Sequence, residues 1–137
     1  IGAMGHSQGG MATTTAANDA RVKAVIIWNA GLTASKPFLT VSGEHDITSY
    51  TPQSMANGIQ GAAQPGAYLY YHNIPQTGSV SGHLTLTNQP ERVVQQATAW
   101  WDYILKGDMK ARDMFLGMSC GLCGHMADYD YGQHALK

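Results

Sequence analysis

A serine between glycines near the start of the chain has the pattern of an activated nucleophile. Gly5-His6-Ser7-Gln8-Gly9 follows a short apolar segment and precedes a run of small residues. In a Gly-x-Ser-x-Gly bend from strand to helix, the serine is forced to a positive φ, and the glycines let the two arms approach closely. We expect the Ser7 hydroxyl to project from the end of a strand. We expect the backbone N–H of Gln8, at the helix N-terminus, to face a developing oxyanion. A capping serine in a glycine-rich helix start is the alternative interpretation.

A serine hydroxyl becomes a good nucleophile only when a histidine takes its proton, and that histidine needs a carboxylate to orient it. Where the serine lies in such a bend, the chain order is serine, acid, histidine. Asp46 follows the apolar segment Phe38–Ser42, and His83 follows the next one, Ala67–His72. We therefore predict Asp46 as the acid and His83 as the base, with Glu44 as the alternative acid. The other histidines do not match both the order and the loop position: His6, His45, His72, His125 and His134.

The segments around these residues alternate between strand and helix patterns. Nearly continuous apolar runs predict strands buried on both faces: Val22–Trp28, Phe38–Ser42 and Ala67–His72. Helical patterns cover 11–18 and 52–61, and the clearest helix lies between Pro90 and Gly107. Its apolar stripe comprises Val93, Val94, Ala97, Trp100, Trp101, Ile104 and Leu105. This alternation predicts an α/β fold with a mostly parallel sheet and flanking helices. The candidate residues then all lie beyond the carboxyl ends of strands, where such sheets bind ligands.

Composition narrows the class of protein. The 137 residues are enough for one domain with a real core, and 44% hydrophobic content excludes disorder. A net charge of −1 argues against a nucleic-acid partner, and no apolar run is long enough for a membrane span. Charged residues make up only 12% of the chain. Such a low charge content is common in exported proteins, so we expect a secreted or periplasmic location.

From Ile1 to about Gly117 the sequence resembles the carboxyl-terminal half of an α/β-hydrolase. It is most similar to the dienelactone-hydrolase-like and cutinase-like or polyester-hydrolase-like serine esterases. The resemblance rests on the long closing helix and on three motifs: Gly5–Gly10, Gly43–Asp46 and Gly82-His83. It implies a partial catalytic domain over residues 1–117 that begins at the strand before the serine, followed by an irregular tail over 118–137.

The resemblance also implies an activity and a role for each candidate residue. The activity would be hydrolysis of carboxylic esters through an acyl-enzyme, without a metal or organic cofactor. Ser7 would be the nucleophile, His83 the general base and Asp46 the orienting carboxylate of a catalytic triad. The N–H of Gln8 would be one donor of the oxyanion hole. An acyltransferase with the same triad is the closest alternative activity.

The beginning of the chain departs from this family pattern. Relatives have several strands and helices before the nucleophile strand, whereas only Ile1–Met4 precede the motif here. The second oxyanion donor comes from a loop in that earlier part of the fold. We therefore expect an exposed apolar sheet edge that pairs with a missing amino-terminal segment or with a second copy. A non-catalytic or inactive partial fold is the corresponding alternative function.

Two further groups of residues are candidates for binding or cross-linking. Cys120 and Cys123 predict a local disulfide. A zinc site that adds the nearby residues of the tail, His125, Asp128 and His134, is the less favoured alternative, because only a single cysteine pair is present. Trp28, Ile47 and Tyr50 are candidates to line a substrate pocket, while the helical stripe assigns Trp100 and Trp101 to the core.

Overall fold

The strands predicted from the apolar segments lie side by side in the computed structural model, which describes residues 1–137. A single sheet contains β1 (Gly2–His6), β2 (Ala24–Trp28), β3 (Phe38–Gly43), β4 (Gly66–Tyr71) and β5 (Tyr129–His134). The strands follow one another across the sheet in chain order. The pairs from β1 to β4 are parallel, and β5 is antiparallel to β4. The prediction of an α/β fold with a mostly parallel sheet is therefore confirmed.

Helices connect the strands and cover the sheet. They are α1 (Gln8–Ala16), α2 (Pro52–Gln60), α3 (Thr85–Asn88), α4 (Glu91–Lys106) and α5 (Met109–Arg112). Thr51 caps α2, since its side chain accepts a hydrogen bond from the Ser54 N–H and the Ser54 side chain accepts one from the Thr51 N–H. α4 ends at Gly107, which adopts the left-handed conformation at φ 70°. None of these helices is both long and apolar enough to span a bilayer.

The sheet separates two apolar layers. Alternate residues of β2 to β4 point into opposite layers, and every residue of these three strands is buried, as the apolar runs predict. α4 contributes the fully buried Trp100 to one layer, and α2 contributes Met55 and Ile59 to the other. Val94 and Leu105 were expected in the stripe of α4 but are exposed. The stripe is narrower than predicted because only the arc around Val93 and Trp100 faces the sheet.

The tail contains a strand that its sequence did not predict. β5 pairs with β4 along its whole length, from Tyr71 opposite Tyr129 to Gly66 opposite His134. Its Asp130 and Gly132 have poor strand propensity, but pairing with a buried strand outweighs that preference. The ring of Tyr68 occupies the space where a Cβ of Gly132 would lie. The irregular tail expected over residues 118–137 therefore includes the antiparallel edge of the sheet.

The edge strand β1 is only partly covered by the rest of the protein. β1 forms the edge opposite β5 and has β2 as its neighbour in the sheet. Met4 in this edge strand is 59% exposed. The indole of Trp101 packs closely over Gly2, because a Cβ there would lie 2.5 Å from the ring. Trp101 thus covers part of the edge strand, and it is half-buried against the core where the helical stripe predicts a core residue.

The predicted disulfide between Cys120 and Cys123 is present. Cys120 is buried in the same apolar layer as Trp100, whereas Cys123 is exposed. The bond therefore joins the core to a surface turn of the tail, ahead of β5.

Candidate active site

Ser7 lies in the bend between β1 and α1. Its φ is 56° and its ψ is −121°, so the predicted positive φ is confirmed. The Ser7 N–H donates to the Trp28 carbonyl at 2.9 Å, which fastens the bend to the end of β2. Such a backbone conformation is costly for a residue with a side chain and persists only where the surroundings hold it.

The glycines of the bend do not contribute equally. A Cβ on Gly5 would lie 2.2 Å from the Gly9 carbonyl oxygen, and one on Gly10 would lie 2.6 Å from the Ala30 Cβ. A Cβ on Gly9 would meet no atom within 4 Å. We expected both motif glycines to be needed for the close approach of the strand to the helix. Gly5 is needed, because it lies against the backbone of Gly9. Gly9 itself has room for a side chain. Gly10, outside the motif, supplies the second close contact.

His83 links the serine to a carboxylate. It lies in a 3-10 turn, Gly82–Leu84, which we call the base turn, and it is buried. His83 Nε2 is 2.7 Å from Ser7 Oγ, and His83 Nδ1 is 2.8 Å from Asp46 Oδ1. A carboxylate accepts hydrogen bonds only, so Nδ1 carries the proton and Nε2 is left to accept the Ser7 hydroxyl proton. The three residues form a continuous hydrogen-bonded chain in the order predicted.

Asp46 is held by several donors in the loop after β3. Its side chain is 1% exposed. Oδ1 also accepts the Thr48 N–H at 3.1 Å, and Oδ2 accepts Ser42 Oγ–H at 2.6 Å and Asn29 Nδ2–H at 2.5 Å. Burial alone would raise the pKa of Asp46, but the hydrogen bonds from Asn29, Ser42 and His83 outweigh it and leave that pKa lowered. The carboxylate therefore stays ionised beside His83.

The base turn rests directly on the loop that carries the acid. A Cβ on Gly82 would lie 1.8 Å from the Glu44 carbonyl oxygen, and the Gly82 N–H donates to the His45 carbonyl at 3.1 Å. On its other side, His6 Nε2 donates to the His83 carbonyl at 2.5 Å. The position of His83 is thus set by backbone contacts with both neighbouring segments.

No protein-family model and no curated protein matches this chain. The interpretation of the site therefore depends on its geometry and on the chemistry of its side chains.

Glu44, the alternative acid, faces away from His83 and belongs to a different cluster. Its carboxylate accepts from His72 Nδ1 at 3.0 Å, and His72 Nε2 lies 2.5 Å from Asp130 of β5. We call His72, Glu44 and Asp130 the His72 clasp. Because carboxylates face both ring nitrogens, both hydrogen bonds form only when the imidazole carries two protons and is positively charged. The Arg92 guanidinium donates to the His72 carbonyl, and the clasp joins the ends of β3, β4 and β5.

The His72 clasp makes stability depend on pH. Burial alone would lower the pKa of His72, but the hydrogen bonds to Glu44 and Asp130 outweigh it and raise that pKa above 6.5. The hydrogen bond from His72 lowers the pKa of Glu44 below 4.5. The contribution of His72 to the free energy of unfolding is fully present below pH 6.5 and is lost as the pH rises through the folded-state pKa of His72. The Glu44 contribution is present above pH 4.5 and is lost as the pH falls, so the clasp is strongest between those values.

An open cleft of about 290 Å³ lies over Ser7 and His83. Gln8 and Ile47 line it, as does Met11 of α1, which the sequence analysis missed. Gln8 is the first residue of α1, so its N–H has no partner within the helix. A larger groove of about 420 Å³ lies between α4 and α5 and contains none of the candidate residues.

Trp28 and Tyr50, the other proposed pocket residues, do not line this cleft. The alternation along β2 points Trp28 into the apolar layer beneath α4. Tyr50 packs against the opposite layer, beside α2. The structure also contains no group of three or more His, Cys, Asp or Glu residues that could hold a metal ion, and this includes the tail residues His125, Asp128 and His134.

Sequence reasoning missed the two side chains that donate hydrogen bonds to Asp46 Oδ2. Ser42 is the next-to-last residue of β3, and Asn29 directly follows β2. A polar residue at the carboxyl end of an otherwise apolar strand was the available signal for both. Their buried polar groups need partners, and the carboxylate of Asp46 supplies them.

Proposed function

We propose that this protein is a serine-dependent carboxylic ester hydrolase of the α/β-hydrolase type. The observation that carries the proposal is the chain from Ser7 Oγ through the His83 ring to Asp46, with contacts of 2.7 and 2.8 Å. A nucleophile, a base and an orienting carboxylate at these distances are the components of acyl transfer through an acyl-enzyme. The parallel strands, with the serine after β1, the acid after β3 and the base after β4, support the same assignment.

The proposed reaction proceeds in two halves. Ser7 Oγ attacks the ester carbonyl carbon while His83 Nε2 takes the hydroxyl proton. The resulting oxyanion accepts a hydrogen bond from the Gln8 N–H, and His83 then returns its proton to the departing alcohol. Water repeats the sequence on the acyl-enzyme and releases the acid. Asp46 remains ionised throughout and stabilises the charged form of His83.

The exposed apolar side chains of the cleft support an ester substrate that carries an apolar group. Met11 is 62% exposed and Ile47 is 56% exposed where they line the cleft beside Ser7. An open cleft suits a short acyl group or a polymer chain that lies along the surface. We therefore include the cutinase-like or polyester-hydrolase-like substrates in the proposal. The disulfide is compatible with export to an oxidising compartment.

Hydrolysis of p-nitrophenyl acetate and butyrate tests the proposal. Ser7→Ala should lower kcat by roughly 10,000-fold or more while the protein stays folded. Ser79→Ala is the matched control, because Ser79 is exposed and does not line the cleft, and it should leave kcat unchanged. A Ser7→Ala variant within tenfold of the wild-type rate would refute the assignment.

Two additional measurements separate the alternative functions. A fluorophosphonate probe should label Ser7, whereas an inactive partial fold would leave the probe unreacted. Adding a primary alcohol during turnover distinguishes hydrolysis from acyl transfer. For a hydrolase the free acid remains the main product, while an acyltransferase would form mainly the new ester.

A further inference from the structure

We propose that Asn29 is a positioning residue that fixes the orientation of the Asp46 carboxylate and, through it, the ring of His83. This inference rests on the proposed function for its kinetic consequences but on contacts alone for its geometry. Asn29 directly follows β2 and is 4% exposed, although asparagine is mostly a surface residue. A buried amide at this position needs hydrogen-bond partners, and those partners identify its role.

The backbone of Asn29 is held in a conformation that few residues accept. Its φ is 52°, in the left-handed region that asparagine tolerates better than most non-glycine residues. Its N–H donates to the Val41 carbonyl at 2.8 Å, which extends the hydrogen bonding between β2 and β3 by a residue. The preceding carbonyl, that of Trp28, accepts the Ser7 N–H. The residue is thus fixed between the nucleophile bend and β3.

The side chain of Asn29 connects the acid to the base turn. Its Nδ2 donates to Asp46 Oδ2 at 2.5 Å and approaches the Gly82 carbonyl at 3.5 Å. Both partners can only accept hydrogen bonds, so the amide nitrogen, not its oxygen, must face them. Asn29 therefore donates from the end of β2 to two separate segments of the site.

This arrangement divides the two oxygens of the Asp46 carboxylate between different tasks. Oδ2 accepts hydrogen bonds from the Asn29 and Ser42 side chains, while Oδ1 accepts from His83 and from the Thr48 N–H. Without the donor from Asn29, Oδ2 keeps only the hydrogen bond from Ser42, so the carboxylate is held less firmly about its terminal torsion, which is soft. The alignment of the His83 ring to Ser7 would then be less strictly fixed, because that ring is hydrogen-bonded to the same carboxylate. Asn29 borders the cleft, but its side chain hydrogen-bonds to Asp46 and the Gly82 carbonyl and not to Ser7 or the His83 ring, so we expect it to act on the reaction through Asp46.

Two substitutions distinguish the effect of the Asn29 side-chain donor from the effect of the left-handed backbone at this position. Asn29→Gly accepts the positive φ and removes the amide, so we expect kcat for p-nitrophenyl butyrate to fall roughly 10- to 100-fold with little change in KM. Asn29→Asp keeps the shape but replaces the amide with a carboxyl group. At low pH that group is protonated and can still donate to Asp46 Oδ2. At higher pH two carboxylates face each other and repel.

The diagnostic result is the pH dependence of the variant-to-wild-type ratio of kcat/KM. For Asn29→Asp this ratio should fall as the pH rises, whereas for Asn29→Gly it should stay flat. A merely structural role would give the same pH trend for both variants. If Asn29→Gly does not fold, the trend of Asn29→Asp alone decides. Rates within threefold of wild type for both variants, or an Asn29→Asp deficit that does not depend on pH, would overturn the proposal.

A spectroscopic measurement tests the geometry independently of activity. The proton on His83 Nδ1, shared with Asp46, should give a far-downfield NMR resonance in the wild-type protein. Asn29→Gly should move this resonance upfield or broaden it, and an unchanged resonance would refute the positioning role. If the wild-type protein hydrolyses no ester, the proposed function fails, and this resonance still decides the role of Asn29.

Discussion

Replacing Gly82 with alanine should separate His83 from Asp46. An added Cβ would lie 1.8 Å from the Glu44 carbonyl oxygen, 2.7 Å from the His45 carbonyl carbon and 2.8 Å from the Asp46 nitrogen. All of these are backbone atoms, so no flexible side chain can move aside. The base turn and the loop that carries Asp46 must therefore move apart.

The size of that movement follows from ordinary contact distances. A carbon–oxygen contact is comfortable from about 3.3 Å, so the Cβ at 1.8 Å from the Glu44 oxygen needs a separation of about 1.5 Å. The contacts of His83 with Ser7 and Asp46, at 2.7 and 2.8 Å, cannot both survive such a shift. A displacement of about 1 Å at a reacting group can cost about 100-fold in rate, so we expect kcat/KM to fall by at least that factor. Overpacking should also destabilise the protein by about 1–3 kcal/mol.

Ester hydrolysis and urea unfolding together test this expectation for Gly82→Ala. Gly78→Ala is the control, since a Cβ at that glycine meets no atom within 4 Å, and both readouts should stay at wild-type values. A Gly82→Ala variant with wild-type turnover would show that the base turn does not depend on this contact. A variant that loses stability but keeps full turnover would refute the link between the backbone contact and the alignment of His83.

Two further predictions concern parts of the fold outside the site. His72→Gln should lower the free energy of unfolding by about 1–2 kcal/mol near pH 5.5, because partly exposed hydrogen bonds to charged groups are lost. It should also flatten the fall in stability above pH 6.5, and a wild-type pH profile from urea unfolding in this variant would contradict the clasp. Reducing the Cys120–Cys123 bond with dithiothreitol should lower the free energy of unfolding by about 2 kcal/mol at most, since the loop it closes is short. Turnover should stay within about twofold of the oxidised protein, and a larger loss would show that the tail shapes the site.

The parts of the fold that could be predicted are those where sequence periodicity and burial coincide. β2, β3 and β4 are buried on both faces, so their sequences are continuous apolar runs that can be recognised without a structure. The expected chain order of serine, acid and histidine then places Ser7 and His83 beyond the carboxyl ends of the strands. Their contact at 2.7 Å agrees with that expectation.

The parts that could not be predicted depend on contacts between distant segments. β5 is polar and contains a glycine, and it becomes a strand because β4 offers an unpaired edge. The direction of the Trp28 side chain depends on the register of β2, which an uninterrupted apolar run does not reveal. The only signal for Asn29 is a polar residue at the end of an apolar strand, and that does not reveal its role, which depends on a carboxylate in the loop after β3.

The arrangement of these contacts implies that the alignment of the candidate active site does not depend on the tail. Asp46 is held by Asn29 after β2 and by Ser42 within β3, while His72 holds Glu44 in the same loop as Asp46. Loss of the His72 clasp therefore removes a side-chain link to β5 and to one end of that loop but leaves both donors to Asp46 Oδ2 in place. Changes in the tail should consequently lower stability more than turnover, whereas changes at Asn29 should lower turnover more than stability. The opposite pattern would mean that the tail, and not the central strands, aligns the candidate active site.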